Sequence, residues 1–296
     1  MLNFKNFEIT DIERIKKYTN TKGNYSCETS VVNLLVWNNI YRNMFAEKDG
    51  ILFIKSGEDG KENFRLPFGA DMKKGLAYLC EYCSDKPPVL WIQQGERFTE
   101  IVPYIKENYQ LVEKRDAFDY IYLQSDLANL SGKKYHSKRN HIASFSKKYN
   151  WSYCDINDEN KEDILDCAQA WYKANSERYD KYMECEFQGI KTILDNMKTL
   201  CAKGGAIYVD GKVVAFTLGS PVNDEVFDVH IEKALLEYAT AYTVINNEFA
   251  KRLCEYKYIN REDDMGLEGL RKAKLSYKPE IILNKYYCKP KEKGNG

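Results

Sequence analysis

Gly204-Gly205-Ala206-Ile207-Tyr208-Val209-Asp210-Gly211-Lys212-Val213-Val214-Ala215-Phe216-Thr217-Leu218-Gly219-Ser220 is the stretch whose pattern settles the class of fold. Two apolar runs rich in β-branched residues flank an Asp-Gly pair, which favours the left-handed backbone of a tight hairpin turn. It therefore predicts strands Ala206–Val209 and Lys212–Ser220, with a third strand following over Glu225–Glu232. Outward from this meander, the periodicity predicts a helix at Tyr238–Leu253, a strand at Tyr256–Asn260, a helix at Gly269–Ser276 and a last strand at Glu280–Cys288. Upstream lie a strand at Trp151–Ile156 and helices at Lys161–Arg178 and Phe187–Leu200.

The first half repeats this order. Helices are expected at Asp11–Tyr18 and Ser30–Ile40, then strands at Tyr41–Ala46, Ile51–Lys55 and Asn63–Phe68, broken by Asp49-Gly50 and Asp59-Gly60. A helix at Met72–Cys83 must stop before Lys86-Pro87-Pro88, because the residue preceding a proline avoids the helical region. Strand Val89–Gln93, helix Phe98–Asn108 and strand Phe118–Leu123 complete the half. A short echo, Leu79-Cys80-Glu81-Tyr82 and Leu253-Cys254-Glu255-Tyr256, closes the equivalent helix in each. The chain is thus read as α/β (α+β), two mixed sheets each flanked by helices, with an N-terminal domain at 1–129, a basic connecting helix at 130–150 and a C-terminal domain at 151–296.

Composition sets the outer bounds. At 296 residues two domains are the natural expectation, and 44% apolar residues suffice to build cores. The 44 basic and 44 acidic residues cancel, so the chain is neither a polycation nor an acidic tail. No apolar run approaches the roughly 18 residues of a membrane span. Met1-Leu2-Asn3-Phe4-Lys5-Asn6-Phe7-Glu8 lacks the charge pattern of a secretory leader. Nine cysteines, an odd number with a single CxxC at Cys80–Cys83, read as reduced thiols in a cytoplasmic protein, and no metal site is expected.

The element order is that of the GNAT acyltransferase fold, and a tandem of such halves resembles the Fem-type aminoacyl transferases. Three segments carry a closer resemblance: Asp119-Tyr120-Ile121-Tyr122-Leu123, Gly132-Lys133-Lys134-Tyr135-His136-Ser137-Lys138-Arg139-Asn140-His141-Ile142, and Asn260-Arg261-Glu262-Asp263-Asp264-Met265-Gly266-Leu267-Glu268-Gly269-Leu270-Arg271-Lys272-Ala273-Lys274. They are similar to an uncharacterised bacterial family allied to the C-terminal cytosolic domain of phosphatidylglycerol lysyltransferase. That resemblance spans essentially the whole chain and implies a tandem GNAT-like fold, without implying a settled reaction. Ordinary acetyltransferases cradle the coenzyme A pyrophosphate in a Gly-rich loop at a helix N-terminus. Here the corresponding stretch, Glu232–Tyr242, has no glycine, which argues against acetyl-CoA. No cofactor is expected; an aminoacyl-tRNA or another activated acyl donor fits the resemblance.

Three groups of residues could carry chemistry. On strand Glu225–Glu232, alternation puts Asp228, His230 and Glu232 on one face, either as a solvated strand face or as a general base with its partners. In Asn260–Lys274, acids come before a helix start flanked by Gly266 and Gly269, and bases follow. The helix dipole favours that charge order, and so does a substrate site of Asn260, Glu262, Asp263, Arg271 and Lys274, whose carboxylates hold an amino group and whose basic side chains hold a phosphate or carboxylate. Lys133, Lys134, Lys138 and Arg139 form the densest basic patch, either a solvated linker face or a surface for tRNA phosphates or anionic head groups. These readings lead to a transferase moving an acyl or aminoacyl group onto an amine or hydroxyl; the alternative is a module that only binds a small polar ligand or RNA in the same cleft. An enzyme would bring its acids and bases within hydrogen-bond reach; a scaffold would splay them into solvent.

Overall fold

The computed structural model describes residues 1–178 and 180–291. Fourteen strands are present among them: β1 (Lys5–Asn6), β2 (Met44–Lys48), β3 (Ile51–Glu58), β4 (Lys61–Phe64), β5 (Leu90–Gln93), β6 (Tyr109–Glu113), β7 (Asp119–Leu123), β8 (Trp151–Asp155), β9 (Lys203–Val209), β10 (Lys212–Pro221), β11 (Val226–Ala234), β12 (Tyr258–Asn260), β13 (Ile281–Leu283) and β14 (Lys285–Pro290). They form two seven-stranded sheets, ordered β1-β2-β3-β4-β5-β14-β6 and β13-β7-β12-β11-β10-β9-β8. In the first sheet only β4 and β5 run parallel, and in the second only β11 and β12. Read from β1 and from β8, both sheets are four antiparallel strands, one parallel step, then antiparallel strands again. The two sheets share one topology, flanked by helices, as the repeated order of elements implies.

The exchange of two strands was not visible in that order. β7, from the first half, pairs with β12 and β13 in the second sheet. β14, from the chain's end, pairs with β5 and β6 in the first sheet. Each sheet therefore takes its sixth strand from the other side of the 130–150 connection. The run read as one strand over Glu280–Cys288 splits at Asn284, whose carbonyl accepts from Gln94, and its two pieces lie in different sheets. β6 is a strand that the periodicity did not reveal, because Tyr109 follows directly on the helix Glu96–Asn108.

The Asp210-Gly211 hairpin forms as read. Both residues take positive φ, 50° and 77°, and β9 and β10 pair from Lys212 opposite Val209. The largest core cluster joins the halves: Phe7, Ile12, Val32, Phe45 and Leu52 pack with Ile164, Ile190, Phe216 and Ile231. Helix Lys181–Asp195 lies close on helix Val31–Val36 through Gly189, where a Cβ would come within 2.4 Å of the Val36 side chain. The helix read over Ser30–Ile40 is interrupted at Trp37, and Cys185 caps that break by donating to the Val36 carbonyl. No helix among the described residues is long and apolar enough to cross a membrane.

Candidate active site

The site forms where β11 and β12 stop pairing. Their parallel register runs Val226–Tyr258, Phe227–Ile259 and Asp228–Asn260, then ends. On the other side of β11, Leu218 faces Ile231 while Gly219 faces Val229, so His230 is an extra, bulged residue. A bulge places two successive side chains on one face and so resets the alternation. Gly219 makes the close approach possible: a Cβ there would sit 2.3 Å from the Asp228 carbonyl and 2.5 Å from the Phe227 ring.

This bulge revises the strand-face reading. Asp228 and His230 share a face, as alternation implies, but Glu232 is turned to the other, where it pairs with Arg261 at 2.7 Å. Ile231 joins the core between the halves, whereas Phe227 and Val229 pack under the helix Ala241–Lys251. Glu262 takes the place expected of Glu232. His230 Nδ1 lies 3.0 Å from Glu262 Oε1 and 3.4 Å from Asp228 Oδ2, and Nε2 lies 2.8 Å from Ser220 Oγ. A carboxylate oxygen accepts from an N–H, so Nδ1–H donates to Glu262, and Nε2 meets the Ser220 hydroxyl. The His230 side chain is 3% exposed, Asp228 is fully buried, and Glu262 at 19% is the member that meets solvent.

Glu262 is held by local backbone chemistry. Its φ is +54°, a left-handed conformation costly for a residue with a Cβ. The Asn260 side chain offsets that cost by accepting from the Glu262 amide at 2.7 Å. Asn33 donates to Glu262 Oε1 at 3.0 Å, and among the described residues the second oxygen takes no hydrogen bond. Asp228 differs: among the described residues neither of its buried oxygens takes a hydrogen bond. Burial, then the nearby Glu262 and Asp119 charges, push its carboxyl well above the usual range. The ligand atoms of Asp228, His230 and Glu262 lie within 4.8 Å of one another, a set that could also take a metal ion.

Below this cluster lies a second one, with Lys285 and Asp119 fully buried, that sequence reasoning missed. Lys285 Nζ reaches Asp119 Oδ1 at 2.6 Å and Glu28 Oε1 at 3.2 Å, and both partners of the Lys285–Asp119 pair have no exposure. Asp119 also accepts from the Cys27 amide, the Cys27 thiol and the Asn260 side chain. Burial works against the Lys285 ammonium, but Asp119, Cys27 and Glu28 together hold its affinity for the proton well above the ordinary value. One signal was present: Asp119 and Lys285 share parity with the inward Ile121 and Leu283, which places a charge at an apolar position.

The remaining expected residues lie as follows. Asp263 is half-buried, and burial raises its carboxyl to about 7, with Lys285 and Lys274 opposing the rise. Arg271 does not stand open to a ligand: it grips Asp264 through Nε at 2.8 Å and Nη2 at 2.9 Å, and it reaches Asp116. Lys274 is buried and ties down the loop by donating to the carbonyls of Arg261 and Asp263. In the basic patch, Lys134 pairs with Asp126 and Arg139 is spent on the carbonyls of Leu130 and Gly132. Lys138 is buried, with Nζ 3.8 Å from the Tyr277 ring centre, so only Lys133 of the four is exposed and unpaired among the described residues. Two surface cavities, about 320 Å³ beside Trp151 and Tyr208 and about 310 Å³ beside Arg139 and Asn247, lie away from His230.

Residues 19–289 match the family model of the phosphatidylglycerol lysyltransferase C-terminal domain. The chain belongs to that family. It is similar to a crystallised conserved protein of unknown function from Bacteroides thetaiotaomicron, 37% identical over 98% of this chain and 100% of that one, with a TM-score of 0.91. Two more distant structures share the fold. The L-PGS of Bacillus licheniformis is 14% identical, with a TM-score of 0.64 over 96% of this chain and 92% of that one. A tandem GNAT protein from the clavulanic acid pathway is 10% identical, with a TM-score of 0.50 over 98% of each chain. An uncharacterised protein of Mycoplasmoides gallisepticum is 25% identical over 193 residues, 63% of this chain; the match spans 61% of that relative's length. The fold is a tandem GNAT-like one, and the family places the chain among the relatives of acyl- and aminoacyl-transferring proteins.

Proposed function

We propose that this protein transfers an aminoacyl group from an activated ester, such as an aminoacyl-tRNA, to an amine or hydroxyl acceptor. The observation that carries this reading is the convergence of His230 and Glu262 at 3.0 Å, beside Asp228, at the point where β11 and β12 part. A scaffold has no need of three ionisable groups packed together with one carboxylate unpartnered. Acids also outnumber bases: Glu28, Asp119, Asp228, Glu262 and Asp263 gather near Lys285 and Lys274, with Arg65 3.8 Å from Glu28, and such an excess suits the ammonium of an aminoacyl donor. Glu262 is the member open to substrate. Its free oxygen takes the proton of the attacking acceptor as the new C–N or C–O bond forms, the donor's ester C–O bond breaks, and the proton passes to the leaving hydroxyl. His230, anchored on Ser220, and Asn33 keep that carboxylate oriented.

The test is incubation with radiolabelled aminoacyl-tRNA pools and, separately, acyl-CoAs, following loss of donor. Aminoacyl ester is expected to be consumed, and Glu262→Gln to slow this by about 10²-fold or more while the protein stays folded. Loss of acyl-CoA in place of aminoacyl ester, no loss of either, or an unimpaired Glu262→Gln protein would each overturn the proposal. The second of these outcomes would leave a binding module.

A further inference from the structure

Asp228, His230 and Glu262 present three donor atoms that all lie within 4.8 Å of one another. His230 Nδ1 is 3.0 Å from Glu262 Oε1 and 3.4 Å from Asp228 Oδ2. Bonds of about 2.0–2.2 Å to a single ion set neighbouring donor atoms about 3–3.5 Å apart, which is the spacing around this imidazole. Two further observations point to an ion. The Asp228 side chain has no exposure, lies against the ring, and among the described residues takes no hydrogen bond, so its oxygens are desolvated with nothing donated to them. Ser220 Oγ, 2.8 Å from Nε2, is the outer partner that fixes the tautomer and orientation of a ligating imidazole. An ion needs no cavity of its own here. It takes the place of the proton between Nδ1 and Oε1, the ring's proton then resides on Nε2, and Glu262, 19% exposed, opens the cluster to solvent.

We infer that Asp228, His230 and Glu262 form a binding site for a divalent transition-metal ion, with Zn²⁺ the best match, held by one oxygen of each carboxylate and by Nδ1 of the ring. An imidazole ligates Zn²⁺ and its neighbours in the row rather than Mg²⁺, and Ca²⁺ takes about 6–8 oxygens. Two carboxylates and a dication sum to zero, which offsets the repulsion between Glu262 and Asp228 that burial intensifies. The donors come from β11 and from the loop after β12, so no short His/Cys spacing marks them in the sequence. Three protein donors leave a position for water or substrate, as catalytic zinc sites do. Glu262 keeps its second oxygen for the acceptor. Binding is read with no aminoacyl donor present, so the inference stands or falls apart from the transfer reaction.

The full chain, reduced, stripped with EDTA and exchanged into chelator-free buffer, is titrated calorimetrically with Zn²⁺ and, for comparison, with Mg²⁺. Saturable binding of Zn²⁺ is expected, weakened about tenfold or more in Asp228→Asn and in Glu262→Gln, and unchanged in Asp158→Asn on the exposed surface. Glu262→Gln, at the solvent edge, guards against a loss of fold in the buried variant. Nine cysteines offer competing donors, so two readouts identify the ligands. Co²⁺ in place of Zn²⁺ should give visible d–d bands without the near-ultraviolet charge-transfer band of a thiolate. The unaltered protein has three imidazoles, and with ¹⁵N-labelled histidine Zn²⁺ should shift Nδ1 of His230 while its Nε2 stays protonated. A thiolate band at the first equivalent of Co²⁺, His230 resonances that do not move, Mg²⁺ binding as tight as Zn²⁺, or undiminished binding to Asp228→Asn would each overturn the inference.

Discussion

Asp264→Asn probes the loop that carries Glu262. The Asp264 carboxylate is fully buried and accepts from the Tyr120 hydroxyl at 2.5 Å, Arg271 at 2.8 and 2.9 Å, Arg115 at 3.2 Å and the Gly266 amide at 3.0 Å. Burial alone would raise its carboxyl, but the bonds from Arg271, Tyr120 and Gly266 win and hold it at about 2, against an ordinary 3.8. A carboxyl lowered in this way stabilises the fold above its unfolded value and loses that contribution as the pH falls through its folded one. The window therefore runs from about pH 4 down to about pH 2. The depression corresponds to about 2.5 kcal/mol. Solvent around the two guanidiniums, each about a third exposed, reduces it to about 1.5–2 kcal/mol. Urea unfolding of both proteins at neutral pH and at several points below about pH 4 reads this directly. Asp264→Asn should be less stable by about 1.5–2 kcal/mol at pH 7, with the gap closing as the pH falls. A gap that persists unchanged at about pH 2 would show that shape, not charge, is what the loop loses, and no gap at pH 7 would refute the anchor altogether.

Asp228→Asn should act in the opposite sense. Its carboxyl is raised by burial and by Glu262 and Asp119, so its ionised form opposes folding at neutral pH. The variant should melt higher than the parent at pH 7, by an advantage that vanishes below about pH 4, while transferring more slowly; a variant that melts lower would mean that Asp228 has a stabilising partner. Lys285→Met strands the Asp119 carboxylate with no exposure and should cost about 3–5 kcal/mol in chemical denaturation. Adding Asp119→Asn should recover part of that loss, and a double variant no more stable than the single would exclude the stranded charge as the cause.

Local pattern and long-range pairing were not equally legible. The Asp210-Gly211 hairpin, the meander and the helix over Met72–Tyr82 follow from turn chemistry and periodicity, both of which act over a few residues. Strand exchange leaves no such trace, because β7 and β14 look the same from either sheet. The bulge at His230 was hidden for a related reason: an extra residue is defined by its neighbour strand, and only Gly219 on β10 hints at the close approach. Alternation therefore put Glu232 with His230, and the bulge moved it away. In Asn260–Lys274 the charge order was visible but its use was not. Asp264 with Arg271, and Lys274 with two carbonyls, hold the loop in shape, which leaves Glu262 facing the cluster.

The exchanged strands also explain why the site needs both halves. β7 brings Asp119 and β14 brings Lys285 to one buried point. The segment before helix Val31–Val36 adds Cys27 and Glu28, and Asn260 of β12 bridges Asp119 to the Glu262 amide. Neither half alone contains the set, so duplication by itself would have produced two incomplete sites. Exchange joins them, and the bulge in β11 then divides the result by sign: His230 faces the acids, while Glu232 turns to Arg261 and Lys138.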